Sequence, residues 1–303
     1  VNDQTFIYES YYGLREKPFS LASDPRFLYK SVSHALAFNE LLTGIRRREG
    51  LIVLTGDIGT GKTTLCRAVL EQLDQKTFST FVPDPFASRE DLLKMLLIDF
   101  GVMSVDDLKA GRLRNASRPD LSYPLCEFLK SLQPLRAFAV LIIDEAQNLS
   151  VPLLEEIRIL SDLEDGGKLL QVVLVGQLEL KASLKLPQMR QVDQRVSVRC
   201  ELGPLTRDGL SGYVTHRLLV AGGSPDRIQF TDAALDEVYD VSRGVPRLVN
   251  LICDRALQHG HRERAAHIQP RLIARAAEDL GLVARDVQAA AVPMVSTVDE
   301  IDE

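Results

Sequence analysis

The sequence predicts an α/β fold: a parallel sheet covered by helices on both faces, followed by a small all-helical unit. Three observations carry this. Short apolar runs alternate with segments of helical periodicity through the first two hundred residues. The first apolar run passes through a Gly-rich turn directly into a helix. After Pro204 the strand signal disappears, and only helical patterns remain as far as Leu280.

The elements follow in order. Residues 1–45 mix turn and helix signals. Tyr11-Tyr12-Gly13-Leu14 and Lys17-Pro18-Phe19 read as an irregular apolar segment, Ser23-Asp24-Pro25 as a turn, and Ser33 as the cap of a helix reaching Leu42. Leu51–Thr55 is a strand, and a helix is expected from about Gly61 to Leu73. Phe78–Val82 is a second strand, stopped by Pro83 and Pro85. Ser88, with Asp91 three residues on, opens a helix to Phe100. Ser104–Tyr123 reads as a polar connection, interrupted by Gly111 and Pro119 and closed by Pro124, before a helix over Leu125–Leu132. Phe138–Asp144 is a strand, Pro152 starts a helix to Leu163, and Gly166-Gly167 follow it. Leu170–Gly176 and Val196–Leu202 are the remaining strands. Thr206–Val220, Thr231–Val241, Pro246–His259 and Pro270–Leu280 read as helices.

These elements divide the chain into a flanking segment (1–45), a core (46–203), a helical lid (204–282) and an acidic tail (283–303). The tail lacks periodicity and is expected to be disordered. It sets Arg285 against Asp286, Asp299, Glu300, Asp302 and Glu303, so most of the net charge of −6 sits there. The chain opens on Val1, so its true start is expected to be missing or processed.

Composition narrows the function classes. The 303 residues are 45% hydrophobic and 26% charged, which excludes a mainly disordered chain, a collagen-like repeat or a rod. The longest apolar run, Ala137–Ile143, is far short of the ~18 residues that a membrane span needs. Val1–Ser10 lacks the basic start and apolar block of a signal peptide. Cys66, Cys126, Cys200 and Cys253 are scattered and form no CxxC pair, so free thiols in a reducing, cytoplasmic compartment are expected. His259 and His261 are two apart on a helix and face different ways; a solvated helix end is expected rather than a metal site.

The chemistry concentrates in Gly56-Asp57-Ile58-Gly59-Thr60-Gly61-Lys62-Thr63, which fits G-x-x-x-x-G-K-[ST] throughout and is followed by Thr64. Phosphate oxygens must be met by backbone N–H groups, so side chains at the turn must be absent. The turn must also deliver the phosphate to a helix N-terminus, where unsatisfied N–H groups and the helix dipole favour anions. Lys62 then reaches the β- and γ-phosphates of ATP, and the Thr63 hydroxyl can ligate Mg²⁺. Ala139–Glu145 is an apolar strand ending in two acids at the edge where ligands of parallel sheets bind. There Asp144 is expected to hold Mg²⁺ through its water shell, and Glu145 to polarise the attacking water.

Other candidates depend on these two. Gln177 follows the strand Leu170–Gly176, within reach of the γ-phosphate or the water. Arg190, Arg195 and Arg199 lie between the next helix and the final strand, where an Arg can reach a neighbouring subunit's nucleotide; Arg195 is the choice among them. In Gly244-Val245-Pro246-Arg247 an Arg stands in the first turn of a helix, poised to close the lid over the γ-phosphate. Pro25 and Phe27 are candidates for the adenine pocket, with packing against the core as the competing reading.

On these residues the chain resembles AAA+ ATPases, and among them the general secretion pathway protein A (ExeA-type) ATPases. The resemblance rests on Tyr12-Gly13-Leu14 with Pro18-Phe19, Asp24-Pro25-Arg26-Phe27-Leu28-Tyr29, Leu54 through Arg67, Ile143-Asp144-Glu145-Ala146-Gln147-Asn148-Leu149, Leu174-Val175-Gly176-Gln177, Gly203-Pro204-Leu205 and Gly244 through Asn250. It implies a P-loop NTPase core with a helical lid, Gln177 at the sensor 1 position and Arg247 at the sensor 2 position. It also implies nucleotide at subunit interfaces of a homo-oligomeric ring or filament, and relatives that include transposition ATPases loaded on DNA.

The function expected is an ATP hydrolase whose nucleotide state switches an assembly acting on a secretion- or envelope-type protein complex. It is placed in the cytoplasm, with attachment at the inner membrane through a partner as a further expectation. The alternative is an ATP-dependent regulator of transposition or replication initiation that grips duplex DNA. Lys109, Arg112, Arg114 and Arg118 form an acid-free stretch, and Arg243–Arg275 holds seven Arg against Asp254 and Glu263; both suit that reading. A scaffold that binds ATP without turnover is a third reading, against which Glu145 argues. Arg46-Arg47-Arg48 reads as favourable charge at a helix C-terminus.

Overall fold

A computed structural model describes residues 8–84, 88–111 and 113–282. The expected disordered tail over 283–303, the opening residues 1–7, Pro85 and Arg112 lie outside the described residues. The chain order is α1 (Tyr8–Tyr12), α2 (Val32–Arg47), β1 (Leu51–Gly56), α3 (Lys62–Leu70), β2 (Thr77–Val82), α4 (Arg89–Asp99), α5 (Val105–Lys109), α6 (Arg118–Ser131), β3 (Phe138–Ile143), α7 (Val151–Ser161), β4 (Leu170–Gly176), α8 (Leu178–Leu184), α9 (Arg190–Asp193) and β5 (Val196–Leu202). Beyond the sheet come α10 (Arg207–Val220), β6 (Gln229–Phe230), α11 (Asp232–Ser242), α12 (Pro246–Arg262), β7 (His267–Ile268) and α13 (Pro270–Asp279).

Strands β1 to β5 form one parallel sheet in the order β2-β3-β4-β1-β5. Every residue of β1, β3 and β4 is buried, as strands covered on both sides must be. Alternate side chains feed two different cores. Leu51, Val53, Leu141 and Leu174 join helices α4, α6, α7 and α8, whereas Ile52, Leu54, Ile142 and Val173 join α2 and α3. The fold is that of an α/β P-loop NTPase with helices on both faces, as expected.

A third core gathers α10 to α13 with residues from the start of the chain. Tyr8, Tyr12, Leu14, Phe19 and Phe27 pack there, so the segment 8–29 is bound to the helical unit. Helix α2 instead covers the sheet and runs on to Arg47, across the boundary placed at residue 45. Its last turn carries Arg46 and Arg47, as the charge reading expected, and Arg48 caps it in the left-handed region.

Several local expectations are corrected. The cap of α2 is Ser31, whose hydroxyl accepts from the His34 N–H, and not Ser33. The polar connection over Ser104–Tyr123 contains α5 and the first turns of α6. Ser104 and Asp107 cap one, and Ser117 and Asp120 box the other. Pro124, read as a stop, sits inside α6. An interior proline costs about 3 kcal/mol. The cap, together with burial of Leu121, Leu125 and Leu129 along one face, outweighs that cost. Arg199 lies within β5 and not before it. His259 is buried at 1% exposure with Nε2 on Asp279 at 2.9 Å, so it is no solvated helix end. The two-residue parallel pair β6–β7 inside the helical unit is too short to leave an alternating pattern in the sequence.

Candidate functional site

The strand order brings the sequence motifs together. The Gly-rich loop leaves the C-terminal end of β1, Asp144-Glu145 follows β3, and Gln177 follows β4. Because β4 lies between β3 and β1, Gln177 stands between the acid pair and the loop. One cavity of ≈ 250 Å³ is lined by Gly59, Gly61, Lys62, Thr63, Thr64, Glu145, Gln177 and Arg247.

The loop needs its glycines for two reasons. Gly59 and Gly61 have φ of 81° and 97°, where a side chain is strained. Gly56 has no room for one, since an added Cβ would lie 2.4 Å from the Leu202 carbonyl oxygen. Gly61 is the N-cap of α3 and offers no capping side chain, so the first N–H groups of the helix are left for an outside acceptor. Ile58 stands out at the loop apex, 65% exposed, whereas Thr60 is fully buried with its hydroxyl donating to the Asp57 carbonyl at 2.8 Å.

Lys62 folds back along the loop, its Nζ donating to the carbonyls of Gly56 (2.8 Å) and Asp57 (2.9 Å). Burial pulls its pKa down, partly offset by the charges of Asp144 and Glu145. The Thr63 hydroxyl donates to Asp144 Oδ2 at 2.5 Å. Burial raises the Asp144 carboxyl above the usual range, against the hydrogen bonds from Thr63 and from the Glu145 N–H.

Glu145 adopts φ 50° and ψ 34°, a left-handed conformation that costs a non-glycine residue roughly 1–2 kcal/mol. That turn aims its carboxylate at two amides: Gln147 Nε2 donates to Oε2 at 2.6 Å, and Gln177 Nε2 donates to the same oxygen at 3.4 Å. Gln147 closes the arrangement by accepting the Gln177 backbone N–H on Oε1 at 3.0 Å. Gly176 makes room for it, since a Cβ there would lie 2.9 Å from Gln147 Oε1. Gln147 was present in the acidic motif, yet nothing in its spacing marked it as a partner of Glu145.

The helical unit reaches the loop through α12. The Arg247 N–H donates to the Gly59 carbonyl at 3.1 Å, so the start of this helix rests directly on the Gly-rich turn. Gly244 sits against the linker, its carbonyl accepting from the Leu205 N–H at 2.8 Å.

Arg195 is not part of this cluster. Its carbonyl accepts from the Leu51 N–H, at the opposite end of six-residue β1 from the loop. At about 3.3 Å per residue this is roughly 20 Å away, beyond the reach of one side chain. Its guanidinium is half exposed and pairs with Asp162 at 3.2 Å. Arg199 pairs with Asp193, and Arg190 is exposed at the start of α9. Pro25 and Phe27 do not line the cavity; Phe27 is buried beneath the Arg217 guanidinium, as the packing alternative expected.

Residues that carried no expected role at the site add to the walls: Ser20, Leu21, Ala22 and Ser23 from the early segment, and Tyr213, Arg217 and Asn250 from the helical unit. Arg217 is 6% exposed and ties the two, donating to the carbonyls of Pro18 (2.6 Å) and Ser20 (2.9 Å) and to the Tyr213 hydroxyl (3.0 Å). The i, i+4 spacing of Tyr213 and Arg217 on α10 was the only local signal for them.

Among the described residues there is no group of three or more His, Cys, Asp or Glu that could hold a metal, and no helix is long and apolar enough to cross a membrane. The cysteines described are free.

Residues 45–184 match the family described as AAA domain. The general secretion pathway protein A of Aeromonas hydrophila is 39% identical over 252 residues, covering 83% of this chain, and the chain spans 44% of that protein's length. Among solved structures, the ORC2 protein of Aeropyrum pernix superposes with a TM-score of 0.63 at 17% identity, over 87% of this chain and 71% of that one. Cdc6p of Pyrobaculum aerophilum gives 0.63 at 20% identity, over 86% and 70%. The RuvB Holliday junction branch migration motor of Thermotoga maritima gives 0.55 at 18% identity, over 88% and 72%. At these identities the structural likenesses speak for the fold.

Proposed function

Because the chain is an AAA+ P-loop protein of the general secretion pathway protein A type, we propose that it binds ATP with Mg²⁺, hydrolyses it at subunit interfaces, and uses the nucleotide state to switch an oligomer acting on a secretion- or envelope-type protein complex. The observation that carries this reading is the single cavity lined by Lys62, Thr63, Glu145, Gln177 and Arg247. The division into core (46–203) and lid (204–282) belongs to the proposal, and so does a cytoplasmic place with attachment to the membrane through a partner.

The donor set fits the ion. Thr63 and Asp144 supply two hard oxygen donors in contact at the mouth of the loop, and Mg²⁺ takes such oxygens together with water. When bound, Mg²⁺ neutralises charge on the phosphates. In this reading the amides of the loop Gly56-Asp57-Ile58-Gly59-Thr60-Gly61 and of Lys62, Thr63 and Thr64 receive the phosphates. Lys62 leaves the Gly56 and Asp57 carbonyls for the β- and γ-oxygens. Gln147 and Gln177 both hold Glu145 Oε2; the second carboxylate oxygen takes the proton of the attacking water. Arg247 reads the γ-phosphate from the lid, and its helix already rests on the loop. Arg195, too distant from its own site, serves the site of a neighbouring copy after leaving Asp162.

The test is ATP turnover of the wild type and of Lys62→Ala, Glu145→Gln and Arg195→Ala, with and without duplex DNA. All three variants are expected to lose turnover, Arg195→Ala while still binding ATP. Normal turnover in Arg195→Ala refutes the interface assignment. The DNA-binding alternative is kept by one feature of the lid: Arg243, Arg247 and Arg264 have no acidic partner among the described residues, whereas Arg255, Arg271 and Arg275 do. Strong stimulation by DNA with steep salt dependence would favour it.

A further inference from the structure

Helix α2 sends one polar side chain into the interior beneath the Gly-rich loop. His34 is 3% exposed and makes two hydrogen bonds. Its Nε2 lies 3.1 Å from the Thr60 carbonyl oxygen, and its Nδ1 lies 2.7 Å from the Ser31 hydroxyl. Burial lowers its pKa, so the ring is neutral at pH 7 and carries one proton. A carbonyl oxygen can only accept. The proton therefore sits on Nε2 and is donated to Thr60, and Nδ1 accepts from Ser31. Both ring nitrogens are held, which fixes the plane of the imidazole.

The consequence lies in the next peptide bond. The structure contains no cis peptide bond among the described residues, so the C=O of Thr60 and the N–H of Gly61 point in opposite directions within one peptide plane. Pinning the carbonyl on His34, on the interior side, turns the amide outward, where Gly61 lines the cavity. That amide donates to no carbonyl or side chain among the described residues. Gly61 itself, at φ 97°, has little conformational preference of its own to hold this orientation. Without a partner for the Thr60 carbonyl the peptide plane can rotate, and the donor is lost from the cradle.

We propose that His34 is a positioning residue for phosphate binding: it holds the Thr60 carbonyl inward and thereby presents the Gly61 amide to the nucleotide. It does not touch substrate and acts only through the loop. The proposal rests on reading the cavity as a nucleotide site.

The experiment is equilibrium binding of Mg-ATP and Mg-ADP by calorimetry to the wild type, His34→Leu, His34→Gln and Lys62→Ala, with a thermal unfolding curve for each protein without nucleotide. Loss of one buried, oriented hydrogen bond corresponds to about tenfold in affinity. His34→Leu is therefore expected to weaken both nucleotides about tenfold. His34→Gln, whose amide donates at similar reach, is expected to return to within about threefold of the wild type. A purely packing role would not be rescued by Gln, so equal loss in both variants overturns the proposal, as does His34→Leu binding within twofold of the wild type. If His34→Leu does not fold, His34→Asn, whose amide stops short of Thr60, takes its place with the same expectation. Lys62→Ala separates the two readings. If it loses nucleotide while His34→Leu does not, only the role of His34 falls; if the wild type binds neither nucleotide, the site reading falls and takes this proposal with it.

Discussion

Gly59→Ala tests whether the helical unit rests on the loop as the geometry says. Gly59 has φ 81°, and an added Cβ would lie 2.6 Å from the Cβ of Arg247 and 3.4 Å from Val245 Cγ1. The first of these atoms is fixed to the backbone of α12, so a rotamer change cannot relieve the clash. Two costs arise. An alanine in the left-handed region costs roughly 1–2 kcal/mol. The bond from the Arg247 N–H to the Gly59 carbonyl at 3.1 Å must stretch or break, which costs about 1 kcal/mol more. Gly101→Ala is the matched control, since Gly101 has φ 73° with nothing within 4 Å of the added Cβ. It carries the backbone strain alone. Denaturant unfolding is therefore expected to show Gly59→Ala less stable than Gly101→Ala by about 1 kcal/mol. Hydrogen exchange should find the Arg247 amide deprotected in Gly59→Ala only, and nucleotide affinity should fall in that variant only. Equal stability in the two variants, with the Arg247 amide still protected in both, would refute the contact between the helical unit and the loop.

Arg217→Met keeps much of the side-chain volume but removes the hydrogen bonds to Pro18, Ser20 and Tyr213. A loss of about 3 kcal/mol in unfolding free energy is expected, with weaker nucleotide binding as Ser20–Ser23 loosen. Stability should also fall on acidification. His34 and His216 both have folded pKa values lowered by burial from 6.5, so the unfolded chain takes up protons first as pH drops. Their stabilisation is present above pH 6.5 and is lost progressively below it, each contributing at most about 1.4 kcal/mol per pH unit. Thermal unfolding between pH 7.5 and 5.5 checks this, and His34→Gln should reduce the slope; an unchanged slope would sink the assignment of His34 as a buried neutral imidazole.

Much of the fold was legible because its signals are local and repeated. The five strands fell within a residue or two of their predicted limits, since a strand buried on both faces is mostly apolar; in β1, β3 and β4 only Thr55 and Gln171 are polar, and both hydrogen-bond to backbone carbonyls. The Gly-rich loop was legible because its backbone tolerates so few side chains. What misled the reading was punctuation overruled by packing. Pro124 looks like a stop, and the capped, leucine-lined α6 runs through it. His259 looks like a solvated end, and Asp279 from another helix buries and holds it.

The sequence by itself determined which groups make up the Gly-rich loop and the acid pair proposed to meet a phosphate and its ion, because Gly59, Gly61, Lys62, Thr63 and the Asp144-Glu145 pair declare themselves in spacing and residue type. Only the tertiary structure decided which groups hold them in place. Gln147 on the Gln177 N–H, His34 under Thr60 and Arg217 across to Pro18 are set by strand order and helix docking, joining residues 30, 26 and 199 positions apart in the chain. A side chain's partner over such separations depends on how the chain is folded back on itself, and that is decided by the burial of the whole core rather than by neighbouring residues.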